Sequence, residues 1–144
     1  MSSQPSAPIK LALTSAEIAR CFPVIYQLRP HLHADTFVEQ VEMQMQSGYQ
    51  LAYLGEPLVI GVTGFHLATS LSWGKYLYVA DLVVDREARS QGYGGALFAW
   101  LVEYAQQQSC QQLHLDSGVQ RFAAHRFYLQ QQMNISGHHF ALKL

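Results

Sequence analysis

Residues Val83–Leu101 read VVDREARSQGYGGALFAWL, with three glycines in four positions between an apolar run and an apolar helix-forming run. A strand that turns into a buried helix through Gly92, Gly94 and Gly95 restricts the local fold strongly. Glycine permits positive φ and lets the backbone approach a ligand closely. The first N–H groups of a helix point outward without partners, and the helix dipole favours an anion there. The bend is therefore a phosphate cradle in form, and Arg86 and Arg89 add fixed positive charge. Two common cradles do not fit. A Walker loop ends in Gly-Lys-Ser/Thr, but Gly95 is followed by Ala96-Leu97. A dinucleotide fingerprint needs a small residue where Leu97 stands, and an acidic residue about twenty positions on, which Asp116 matches poorly.

The elements around the bend set the fold class. Thr14 with Glu17 three positions later reads as a capping box opening a helix with Ile18, Phe22, Ile25 and Tyr26 on one side, kinked at Pro23 and broken at Arg29-Pro30. A second helix over 35–46 carries Phe37, Val38, Val41 and Met45. Strands are expected at 9–13, 49–54, 58–67 and 75–84, with hairpin turns at Gly55-Glu56-Pro57 and over 70–74. The chain then alternates: helix 94–108, strand 113–116, helix 119–131, and final strand material over 135–144. A meander followed by a β-α-β-α-β half predicts an α/β fold, with a mixed, mostly antiparallel sheet of six to seven strands and helices on both faces.

Composition narrows the class further. The 144 residues are 49% hydrophobic and 13% charged, with formal net charge -1, which suits one globular domain over 9–144 behind a flexible leader over 1–8. No basic cluster suggests a nucleic-acid surface, no apolar run reaches membrane length, and no signal pattern opens the chain. A cytoplasmic protein without membrane or nucleic-acid partners is expected. The two cysteines, Cys21 and Cys110, cannot form a disulfide framework, and His31-x-His33 lacks a third ligand at metal spacing.

The segment Arg89-Ser90-Gln91-Gly92-Tyr93-Gly94 matches the pattern Arg/Gln-x-x-Gly-x-Gly/Ala. With the strand before it and the helix after it, the segment resembles the pyrophosphate-binding motif of the GNAT superfamily of acyl-CoA-dependent N-acetyltransferases. The resemblance extends to the order of elements over nearly the whole chain. It implies acetyl-CoA as co-substrate, held by Arg89, Ser90, Gln91, Gly92, Tyr93, Gly94 and Gly95 and by the exposed backbone of Leu82, Val83 and Val84. It also implies attack by a primary amine of a small molecule or peptide in a ternary complex. Asp81, on the strand before the bend, is the candidate base. Tyr128, four residues after Ala124, is the candidate hydrogen-bond donor to the departing sulfur. Arg121 stands where the family often has Asn and is a candidate for a cofactor phosphate. Met133 stands after Gln132 where the family often has Gly-Phe, which bears on the last hairpin.

The resemblance places the acceptor pocket between the helix 1–2 loop and the turn over 70–74. Arg29, His31, Trp73 and Asp116 are the candidate substrate contacts, and His66, His114 and His138 are weaker candidate bases. Two other readings stay open. One is a GNAT-like module that binds acyl-CoA without catalysis. The other is a subunit whose apolar helices form a partner interface. Pairing of two copies through 135–144 is a further expectation.

Overall fold

The computed structural model describes residues 8–144, so the leader expected over 1–8 lies, apart from Pro8, outside the described residues. Backbone contacts divide the chain into two compact units, one ending at His114 and the other comprising Leu115–Leu144.

The first unit opens with β1 (Ile9–Leu11) and α1 (Ser15–Leu28). The capping box forms as its sequence requires. Glu17 N donates to Thr14 Oγ1 at 3.1 Å, and the Glu17 carboxylate accepts from the Thr14 amide, also at 3.1 Å. The helix continues through Pro23, whose ring is exposed, and Arg29 caps it. Ile18, Cys21, Val24 and Ile25 are its buried residues, whereas Tyr26 is 45% exposed, so the buried stripe is rotated from the one expected. Burial pushes the Cys21 thiol up to about 12, which makes it core rather than nucleophile. Next comes α2 (Ala34–Met45), which buries Phe37 and Val41.

Strands β2 (Tyr49–Leu54), β3 (Gly61–Ser70) and β4 (Gly74–Val84) form the antiparallel meander, with β1 on the edge of β2. β3 starts at Gly61 rather than near 58. The turn is longer than expected because Gly55, at φ 111°, bends the chain and the Ile60 amide returns to the Leu54 carbonyl. The two faces of the sheet separate by strand alternation. Tyr49, Leu51, Tyr53 and Val62 join the core of α1 and α2. On the other face, Gln50 bonds Tyr104, and Phe65 meets Trp100 and Tyr104, all on the helix named next.

That helix, α3 (Tyr93–Gln107), follows a single 3₁₀ turn at Arg86–Ala88 and leads to β5 (Gln112–Leu115). The sheet order is β1-β2-β3-β4-β5, which is five strands among the described residues where six to seven were expected. The Gln111 amide donates to the Lys75 carbonyl at 2.7 Å, so β5 begins beside the beginning of β4. The four residues of β5 can flank only the first part of the eleven-residue β4, and Ala80–Val84 extends beyond them.

In the second unit, α4 (Phe122–Gln130) is shorter than the expected 119–131, and residues 133–144 carry no strand. Gln132 sits just past the helix cap at φ 70°, a left-handed position that suits glycine. Ile135, Phe140, Leu142 and Leu144 of the expected final strand are exposed. No described helix is long and apolar enough to cross a membrane.

Candidate active site

β4 changes phase partway along its length. Gly64 pairs with Asp81, but Phe65 pairs with Val79, so Ala80 is an extra residue in β4. Such a bulge re-aims the side chains on either side of it. Val79 stays opposite Phe65, whereas Ala80 packs against the α1–α2 core and Asp81 turns toward α1. The helix end supplies Asp81's partner. Arg29 Nε donates to Asp81 Oδ1 at 3.0 Å, and Arg29 Nη2 donates to the bulged Ala80 carbonyl at 3.0 Å. The Tyr49 hydroxyl donates to Asp81 Oδ2 at 2.8 Å, and Thr63 Oγ1 donates to the Asp81 carbonyl at 2.8 Å. Gly64 gives the phenol its room, since a Cβ there would collide with the Tyr49 hydroxyl.

These groups lie at a cavity of about 220 Å³. Ile25, Leu32, Phe37, Val41 and Leu51 form its apolar wall, and Arg29, His31, Gln44, Tyr49 and Asp81 its polar part. It is smaller than the roughly 300–1,000 Å³ usual for larger ligands, so its occupant must be compact. Burial first, and then the charge of Asp81, push Tyr49 far above the ordinary phenol range. Tyr49 therefore remains a hydroxyl donor at any working pH, and both Asp81 oxygens are engaged.

The glycine bend follows from the end of β4. Asp85 Oδ1 accepts from the Glu87 amide at 3.0 Å and holds the 3₁₀ turn, and Ser90 then adopts φ 63°. Gly92 caps α3 at φ 87°, a left-handed conformation, with no side chain closing the helix end. Ala96 N donates to the Gly92 carbonyl at 3.0 Å, so the Tyr93, Gly94 and Gly95 amides ahead of it have no intrahelical acceptor. A Cβ on Gly95 would meet nothing within 4 Å. Arg89 is exposed, with Nε 3.4 Å from the Val84 carbonyl. Unpartnered amides, open space and adjacent guanidinium charge together fit a diphosphate. Among the backbone-exposing candidates, Val83 is buried, while Leu82 and Val84 are half-buried on the part of β4 that extends past β5.

Arg29, His31 and Asp81 thus meet at one cavity. Trp73 does not join them. It lies just before β4, stacked on His114 with ring centroids 3.4 Å apart. Seven residues of strand separate Gly74 from Asp81, or about 20 Å. His66 stacks on Tyr78, again away from the cavity. In the second unit, Asp116 Oδ1 lies 3.5 Å from His139 Nδ1, and His125 Nε2 lies 2.7 Å from the Gly118 carbonyl. Arg121 precedes α4 as its cap residue. Burial raises the Tyr128 hydroxyl above the ordinary phenol range, and Arg121 opposes this in part. Tyr128 is therefore a hydrogen-bond donor rather than a ready acid. Sequence reasoning missed Tyr49, Gln44 and the bulge. An isolated Gly64 inside a strand was the available signal for the bulge.

Bulged central strand, glycine bend and sheet order define the class. The Acetyltransferase (GNAT) family model matches residues 15–133, and the chain belongs to that family. It is an acyltransferase of the GNAT type. A Bacillus subtilis (strain 168) protein, named as the uncharacterized N-acetyltransferase YhdJ, is 33% identical over 122 residues, covering 83% of this chain and 86% of its own. The aminoalkylphosphonate N-acetyltransferase of Salmonella typhimurium is 33% identical over 84 residues, or 58% of this chain and 54% of its own. A crystal structure of a Trypanosoma brucei acetyltransferase superposes with TM-score 0.78 at 19% identity, covering 95% of this chain and 99% of that one.

Proposed function

We propose that this protein transfers an acetyl group from acetyl-CoA to the primary amine of a small molecule or peptide, by direct attack in a ternary complex. The observation that carries the reading is the left-handed Gly92 opening a helix whose first three amides have no intrahelical acceptor, with open space beside Gly95, just past the projecting end of β4. Arg89, Ser90, Gln91, Gly92, Tyr93, Gly94 and Gly95 hold the diphosphate, with Arg121 on a further phosphate. The backbone of Leu82, Val83 and Val84 holds the pantetheine. Acetyl-CoA, when bound, supplies an activated acyl group: a C–N bond forms as the C–S bond breaks, and the amine proton is exchanged for one on sulfur.

The chain's own residues handle the proton and the acceptor. An alkylammonium of pKa about 10.4 is deprotonated in roughly one molecule in 10³ near neutral pH, a cost of about 4 kcal/mol. Asp81 receives the amine N–H, directly or through water. Tyr128 donates a hydrogen bond that strengthens as charge builds on sulfur, and its burial suits that role better than outright proton donation. Arg29 and His31 contact the acceptor at the cavity, and Asp116 stays a candidate contact from the second unit. A phosphonate-bearing amine, the substrate class in the Salmonella relative's name, belongs in the acceptor panel.

Titration calorimetry with acetyl-CoA tests the first step. Wild type should bind, and Arg89→Ala should bind roughly tenfold more weakly. Free-thiol release with an amine panel tests the second, and Tyr128→Phe should lower kcat roughly tenfold with KM for acetyl-CoA little changed. Absence of acetyl-CoA binding overturns the reading. Binding without thiol release across the panel favours a non-catalytic acyl-CoA-binding module.

A further inference from the structure

The cavity floor carries both signs of charge side by side. Arg29 and Asp81 touch at 3.0 Å, and their side chains keep 42% and 16% of their exposure, so both remain reachable. Each carboxylate oxygen accepts one bond in the fold and has a second lone pair. A guanidinium carries five N–H groups. Arg29 spends one on Asp81 and one on Ala80, and the rest have no acceptor among the described residues. The wall above is apolar, from Leu32 to Leu51. A bare ammonium entering here is drawn to Asp81 but repelled by Arg29 beside it. A bare carboxylate meets the reverse. A molecule with both charges on one carbon satisfies both, and its side chain can lie on the wall.

We propose that this cavity takes a small zwitterion of the α-amino acid type with a compact apolar side chain, its carboxylate on the open edge of Arg29 and its amino group on Asp81. The step from binding to turnover rests on the acetyl-transfer reading above; the binding does not. Three probes share one apolar body: L-leucine, 3-methylbutylamine, which lacks the acid, and 4-methylpentanoate, which lacks the amine. Calorimetry on the full chain should show leucine binding at least roughly tenfold tighter than either. Arg29→Gln should bring leucine down to the level of the amine, and a thermal melt checks that this variant is folded. The wild-type ranking stands even if the variant does not fold.

The inference is overturned if either single-charge probe binds as tightly as leucine, if none of the three binds, or if the leucine advantage survives in folded Arg29→Gln. Thiol release in the presence of acetyl-CoA keeps the two readings apart. Release with 3-methylbutylamine but not leucine sinks the zwitterion and keeps acetyl transfer. Leucine bound without thiol release keeps the zwitterion and sinks acetyl transfer to it.

Discussion

The glycine bend and the Arg29–Asp81 cavity prepare for charge by opposite means. At the bend, the chain removes side chains and leaves the main-chain N–H groups of Tyr93, Gly94 and Gly95 without intrahelical acceptors, with open space beside Gly95. At the cavity, α1, β2 and β4 each send in one side chain, and Arg29, Tyr49 and Asp81 bind one another before any ligand arrives. Backbone donors cannot be deleted by changing one residue, but they can be blocked. Side-chain donors can be deleted one at a time, and each loss strands a neighbour. The two regions should therefore answer substitution differently, in binding at one and in binding together with stability at the other.

The largest effect is expected from Gly95→Asp. The new side chain has room, and a carboxylate at a helix start is tolerated or mildly stabilising, so the melting temperature should hold. The same charge repels a diphosphate, and acetyl-CoA affinity should fall roughly a hundredfold, or about 2.7 kcal/mol, by calorimetry. A parallel loss of stability would erase the contrast. Asp81→Ala comes next. It removes the acceptor of Arg29 and Tyr49 together, and should lower stability by roughly 1–3 kcal/mol by urea unfolding. Thiol release should fall with it, while acetyl-CoA binding should persist.

Tyr49→Phe is a milder form of the same break, since Asp81 keeps Arg29. A loss of about 1 kcal/mol is expected, with a smaller drop in turnover than for Asp81→Ala. The smallest effect lies outside both regions, at Glu17. Bonding from the Leu13 amide first, then from the Tyr53 hydroxyl, holds its carboxyl below the ordinary range. A depressed carboxylate contributes stability that is present above its unfolded pKa and is lost as pH falls through its folded one. Wild-type melting temperature should therefore drop on acidification below about pH 4.5, the ordinary value, and Glu17→Gln should flatten part of that slope. Acetyl-CoA affinity at neutral pH should be untouched by that substitution.

Legibility in the sequence followed the range of the interaction. The capping box at Thr14, the strand-to-helix bend and the meander are written in neighbouring residues, and local spacing located them to within a few positions. The phase change at Ala80 is not local. It depends on Gly64 across the sheet, and only the pairing shows that one residue of β4 is extra. Arg29 and Asp81 were both candidates, but 52 positions of separation hid their contact. Tyr49 read as the start of a strand, because nothing nearby says that its hydroxyl reaches a carboxylate. Trp73 was grouped with the acceptor residues because its turn adjoins β4, but it lies at the opposite end of that strand. The final strand was expected as the close of the alternating half, from the apolar content of 135–144 and a turn at Ser136-Gly137. Residues 133–144 have the content, but Gln132 occupies a position better suited to glycine just before them.

The surplus residue at position 80 has a consequence for how this chain can change. Were β4 to pair without the bulge, Ala80 would stand opposite Gly64, and the aspartate after it would move opposite Thr63, on the α3 side of the sheet. Leu82 would then look into the hollow where a carboxylate now waits. One step of register thus separates a charged floor from a greasy one.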